Sequence, residues 1–91
     1  MDRIDEIAAV LAESDDQAQI AEFLRSILTG SEVKEISSRW ELVKLLNNGM
    51  SQRKISEKLG LSLCKITRGS RELKKDPPIF KQMIEKWEDM S

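Results

Sequence analysis

The chain has no histidine and a single cysteine, Cys64, among its 91 residues. Without histidine, neither a Cys/His zinc set nor a histidine-based catalytic arrangement can be built. One cysteine excludes an internal disulfide and fits a reduced compartment. The two prolines are adjacent, in Asp76-Pro77-Pro78, and each disfavours helix in the residue before it. No apolar run approaches the ~18–20 residues that a membrane span requires. Met1-Asp2-Arg3 does not open a signal peptide, so a cytoplasmic location with no membrane partner is expected. Repeats, low-complexity segments and strand-like alternation are missing too. A phosphate-cradling glycine loop and a recognisable carboxylate pair are also absent, which argues against an enzyme.

What is present is helical patterning with strong punctuation. Ile4, Ile7, Ala8 and Leu11 recur at helical spacing, so residues 3–13 read as an amphipathic helix. Ser14-Asp15-Asp16 stops it and caps the next, which runs to Leu28 and is apolar on more than one side. Such a helix needs partners on several faces, and a chain this short buries only ~60–65% of its unfolded surface. Packing between subunits is therefore expected. Thr29-Gly30 ends that helix, and Ser31 with Glu32 starts a third, with Val33, Ile36, Trp40, Val43 and Leu46 as its stripe. Asn47-Asn48-Gly49 ends the third helix. After the proline pair, Ile79, Phe80, Met83, Ile84 and Trp87 line one face of a last helix. Trp40 and Trp87 are expected to pack in the core.

Between these lies the stretch on which function turns. Ser51 can cap a helix carrying Ile55 and Leu59, and Gly60 can end it in left-handed geometry. Ser62 can cap a second helix, with Leu63, Ile66 and Leu73 packed back onto the first. Two short helices joined through a glycine turn are the helix-turn-helix pattern, here over about residues 51–75. Lys65, Thr67, Arg68, Ser70, Arg71 and Lys74 give the second helix a polar, basic face. Charge is concentrated in the same place. Residues 1–38 carry nine Asp/Glu and three Lys/Arg, net −6, and residues 76–91 carry four and two, net −2. Residues 39–75 carry ten Lys/Arg and three Asp/Glu, net +7. A positive segment coinciding with that motif suits phosphate binding, because releasing condensed counterions favours association.

The sequence resembles the bacterial tryptophan repressor family. The resemblance lies in Met50-Ser51-Gln52-Arg53, Glu57-Lys58-Leu59-Gly60 and above all Ile66-Thr67-Arg68-Gly69-Ser70 followed by Leu73-Lys74. Leu28-Thr29, Arg39 and Leu42-Val43 fit the same alignment upstream. It extends from about Leu28 to Pro78. The periodic segments sum to six short helices, all-α, and the resemblance implies an intertwined homodimer of them. The chain is then a single domain over 1–91, with a dimerisation core at about 3–48 and 78–90. It also implies L-tryptophan as corepressor, no other cofactor, no metal, and double-stranded operator DNA as partner, repressing tryptophan biosynthesis or uptake genes.

Site residues follow from the same resemblance. Arg39 and Arg68 match arginines that bracket the indole ring. Thr29, and the backbone carbonyls around Leu28 from the other subunit, match the pocket floor and its ammonium acceptors. Gly69 would let the ligand approach the backbone, or else marks a helix-packing contact. Glu72 departs from the family's serine; it faces the ligand ammonium or pairs with Arg68. Arg53 matches a direct base contact, while Gln52, Lys65, Thr67, Ser70 and Lys74 match phosphate or water-mediated positions. Leu63 and Cys64 fall at the tip of the reading helix, with Cys64 also readable as a small packing residue or a redox-sensitive thiol. Alternatives are a regulator of this fold with another ligand or none, and a protein-docking module.

Overall fold

The computed structural model describes residues 2–90, and among them it contains six α-helices and no strand. These are α1 (Ile4–Glu13), α2 (Gln17–Ile27), α3 (Gly30–Asn47), α4 (Gln52–Leu59), α5 (Leu63–Leu73) and α6 (Ile79–Met90). Two compact units are distinguished, one up to Lys34 and one from Glu35 onward.

In the first unit, the helix ends are set by short polar side chains. Asp2 Oδ1 accepts from the Ile4 N–H at 3.1 Å ahead of α1. Asp16 caps α2 by accepting from the N–H groups of Ala18 and Gln19, at 3.0 and 3.3 Å. At α3 the structure departs from the expected start. Thr29, not Ser31, is the cap: Thr29 Oγ1 accepts from the Glu32 N–H at 3.1 Å, and Glu32 Oε1 accepts from the Thr29 N–H at 2.8 Å. This is a reciprocal capping box, and Gly30 becomes the first helical residue. No described residue of this unit is fully buried. Ile4, Val10 and Ile27 are more than half exposed.

The second unit holds the core. Leu42, Val43, Ile55, Ile66 and Ile84 are at most 2% exposed. Leu42, Ile55 and Ile66 form one cluster from α3, α4 and α5, with Leu45, Leu46, Met50, Leu59 and Leu61 packed around it. Burying an isoleucine fully contributes ~1.5–3 kcal/mol, so three helices are tied together at a single point. Trp40 of α3 stacks on Phe80 of α6, with ring centroids 6.0 Å apart and planes 22° apart. That fulfils the packing role expected of Trp40.

Other expected core positions are on the surface of the chain. Trp87 is 47% exposed, with Met83 and Ile79 beside it at 51% and 57%. On α6 only Ile84 is buried, because a single neighbouring layer covers only part of a helix. Leu63 is 59% exposed and does not pack back onto α4. It is the first residue of α5, outside the arc centred on Ile66 and Gly69.

Candidate nucleic-acid interface

The α4–α5 pair is built as its sequence dictates. Ser51 Oγ accepts from the Lys54 N–H at 3.2 Å and Ser62 Oγ from the Lys65 N–H at 3.4 Å, so each serine sets a helix start. Gly60 adopts φ 66°, a left-handed conformation that a side chain would resist, and its N–H donates to the Ser56 carbonyl at 2.9 Å. The Ser56 hydroxyl donates to the Leu61 carbonyl at 2.8 Å, fixing the turn from within α4. Ile55 and Ile66 then face inward and the charged residues face out.

On α4, Gln52 and Arg53 lie exposed in the first turn. Arg53 Nε stands 3.7 Å from Glu57 Oε1, with both side chains at least 70% exposed. Solvent screens such a pair, so Glu57 does not hold the guanidinium from another partner. On α5, Leu63, Cys64, Lys65, Thr67 and Arg68 are exposed, and Ser70 is half-buried. Lys74, the C-cap residue, is exposed as well. Thr67 Oγ1 donates to the Leu63 carbonyl at 2.8 Å, which leaves its lone pairs outward. Exposure of Cys64 rules out the packing role considered for it.

The expected ligand residues have distinct settings. Arg39 is half-buried on α3, with its guanidinium 3.6 Å from Glu35 Oε1. Arg68 is exposed and has no ion pair among the described residues. Glu72 pairs with Lys75 at 2.8 Å, not with Arg68 as one alternative had it. Gly69 is buried against α3: an added Cβ would lie 3.0 Å from Leu42 Cδ2 and 3.4 Å from Val43 Cγ2. The close approach that would crowd a side chain there is made by Leu42 and Val43 of α3. Thr29 and half-buried Leu28 belong to the first unit, where Thr29 has the capping role described above.

Two features went unread in the sequence. One is the Thr29–Glu32 capping box, whose Thr-x-x-Glu spacing was available. The other is an open cleft of about 410 Å³ lined by Leu45, Asn48, Gly49, Met50, Ser51 and Lys54. None of these six residues is among the expected ligand contacts, so the cleft is not the expected tryptophan site.

A dense core beneath two short, serine-capped helices with an exposed basic face is an architecture found among small helical nucleic-acid-binding proteins. The comparison with known families agrees: the chain belongs to the Trp repressor protein family, whose model it matches over residues 2–88. That is a family of DNA-binding regulators, not of enzymes. Curated relatives carry the name "Trp operon repressor homolog". One from Chlamydia trachomatis serovar D is 43% identical over 60 residues, covering 65% of this chain and 64% of the relative. One from Xylella fastidiosa is 38% identical over 65 residues, covering 70% and 71%. One from Chlamydia caviae is 39% identical over 64 residues, covering 69% and 63%. The chain thus spans a little under two thirds of the Chlamydia relatives' length. No solved structure matches it significantly. Among the described residues, no helix is long and apolar enough to cross a membrane.

Proposed function

We propose that this protein is a tryptophan-dependent transcriptional repressor. It acts as a cytoplasmic homodimer that takes L-tryptophan as corepressor and binds operator DNA in the major groove through a helix-turn-helix made of α4 and α5. One coincidence carries this reading: in a member of the Trp repressor protein family, the net +7 segment is the one whose two short helices stand on the buried core. Arg53 reads a guanine edge, the commonest specific arginine contact. Gln52, Lys65, Thr67, Ser70 and Lys74 hold phosphates directly or through water, and Leu63 and Cys64 meet base edges. The exposure of Leu63 and Cys64 supports that role.

Arg39 and Arg68 bracket the indole, each planar cation contributing ~0.5–2 kcal/mol. Glu72 faces the ligand ammonium, Gly69 lies beside the ring, and Leu28 and Thr29 come from the partner subunit. Bound tryptophan favours the DNA-competent posture of the reading helices only as far as it binds that posture better. Dimerisation is supported by Met83, Trp87 and Met90, 47–72% exposed at helical spacing along one face of α6, because an uncovered apolar stripe marks an interaction surface.

The test is a titration of trp-type operator DNA with and without L-tryptophan at one salt concentration. Specific binding is expected only with the amino acid, and it should weaken steeply as salt rises. Affinity unchanged by tryptophan removes the corepressor claim and leaves the DNA claim standing, which is the outcome for a relative with another ligand or none.

A further inference from the structure

The ten Lys/Arg of residues 39–75 divide according to their partners. Arg39, Lys44, Arg53 and Lys75 pair with Glu35, Glu41, Glu57 and Glu72. Each of the segment's three carboxylates, Glu41, Glu57 and Glu72, thus stands beside one of these four cations, although the exposed Arg53–Glu57 pair is a weak one. Lys54, Lys58, Lys65, Arg68, Arg71 and Lys74 have no ion pair among the described residues. Four of these six lie on α5 or at its C-cap, within the interface described above. Lys54 and Lys58 do not.

Both lie on α4 at i, i+4 spacing, which places them on one face of the helix. Ile55 and Leu59, next to them in sequence, turn toward the core, so the two ammonium groups share an outer flank. Ser56, which ties α4 to the following turn, lies on the opposite flank by helical spacing. Lys54 borders the open cleft at the α3–α4 junction, so this side of α4 is uncovered there. Two like charges four residues apart destabilise an isolated helix, and no carboxylate among the described residues makes an ion pair with either lysine.

We propose that Lys54 and Lys58 form a second phosphate-holding stripe, which seats the DNA backbone beside α4 and reads no sequence. The proposal rests on the DNA reading above and enlarges its surface. A lysine ammonium is a point charge on a flexible stem, suited to phosphate but not to the bidentate recognition of a base. Its contribution is therefore the counterion-release part of affinity, shared by operator and unrelated duplexes.

The experiment compares the full chain with Lys54→Gln/Lys58→Gln and Lys54→Arg/Lys58→Arg. Each binds an operator duplex and a scrambled duplex across a salt series with L-tryptophan present, and circular dichroism checks the fold. In the glutamine variant the slope of log K against log salt should shrink by ~0.9 per lysine, about 2 in total. Both duplexes should weaken by the same factor, so that their affinity ratio is kept, and the arginine variant should keep the wild-type slope. An unchanged slope in the glutamine variant, or a loss confined to the operator, overturns the stripe alone. Wild-type protein that binds neither duplex overturns the DNA reading and this extension together.

Discussion

Gly69 of α5 and Leu42 of α3 are packed so closely that a methyl group on the glycine would stand 3.0 Å from Leu42 Cδ2 and 3.2 Å from its Cγ. Leu42 is 2% exposed and belongs to the central cluster, so it has little room to yield. A glycine inside a helix costs ~1 kcal/mol relative to alanine, and this contact supplies a reason for tolerating that cost.

Gly69→Ala sets that propensity gain against overpacking, which costs ~1–3 kcal/mol in a filled core. With Leu42 held in place the overpacking should win, and urea denaturation should show a net loss of about 1 kcal/mol. Leu42→Val in the same chain should recover part of the loss, giving a non-zero coupling energy. A Gly69→Ala protein as stable as wild type but weakened toward L-tryptophan would move the reason for the glycine to the ligand.

That contact also shows where sequence reasoning stops. Helix positions were legible because their signals are local: Ser51, Asp16, Gly60 and Ser62 occupy the capping and turn positions their chemistry favours. The cap of α3 lies two residues before the expected Ser31, because Thr29-Gly30 reads equally well as a stop and as a cap followed by a first turn. Burial was legible only where one face is apolar and its neighbour adjacent, as at Ile55 and Ile66. Trp87 and Met83 follow the same periodicity yet lie on the surface, since periodicity says which face is apolar and not what covers it. The partner of Glu72 was beyond reach for a similar reason: Arg68 and Lys75 lie four residues before it and three after, both within a helical neighbour's reach, and the structure selects Lys75.

The reciprocal hydrogen bonds of Thr29 and Glu32 make a separate prediction about stability. Thr29→Ala should lower unfolding free energy by ~0.5–2 kcal/mol, the usual cost of a lost cap. Thr29→Ser keeps an oxygen able to accept from the Glu32 N–H and should stay within a few tenths of a kcal/mol of wild type. Thermal melts of both variants without ligand measure the capping role alone. A Thr29→Ala protein with an unchanged melt would show the cap to be dispensable.

If the exposed apolar side chains of α1, α2 and α6 are covered by a second copy, folding and association are linked. The midpoint of thermal unfolding should then rise with protein concentration, by mass action. Met83→Glu, on the exposed flank of α6, should weaken association while leaving Ile84 and its contacts in place. Sedimentation of wild type and variant gives the answer, and a wild-type monomer with a concentration-independent midpoint would remove the homodimer.

Arg39 and Arg68 are both available to an aromatic ligand at small structural cost. Arg39 gives up only a 3.6 Å contact with Glu35, whose side chain is 59% exposed, and Arg68 has no ion pair among the described residues to give up. Replacing either by alanine should leave the melt nearly unchanged and weaken L-tryptophan binding by ~0.5–2 kcal/mol in calorimetry, about 2- to 30-fold. Substitution by lysine should not restore affinity, because an ammonium lacks the planar face that stacks on indole. Full affinity in both alanine variants would place the ligand elsewhere.

Glu72 offers the sharpest test of how the amino acid is held. Its side chain is 28% exposed and its carboxylate is engaged by the Lys75 ammonium at 2.8 Å, so a ligand ammonium would compete with a cation already present. Lys75→Ala should then strengthen L-tryptophan binding and Glu72→Ser should weaken it. Indole-3-propionate keeps the ring and the carboxylate but lacks the ammonium. Its affinity should be nearly indifferent to both changes, or rise slightly in Glu72→Ser as a repelling charge is removed. If Glu72→Ser binds L-tryptophan as well as wild type or better, the carboxylate serves only the Lys75 pair, and selection for the amino acid must come from the carbonyl groups near Leu28.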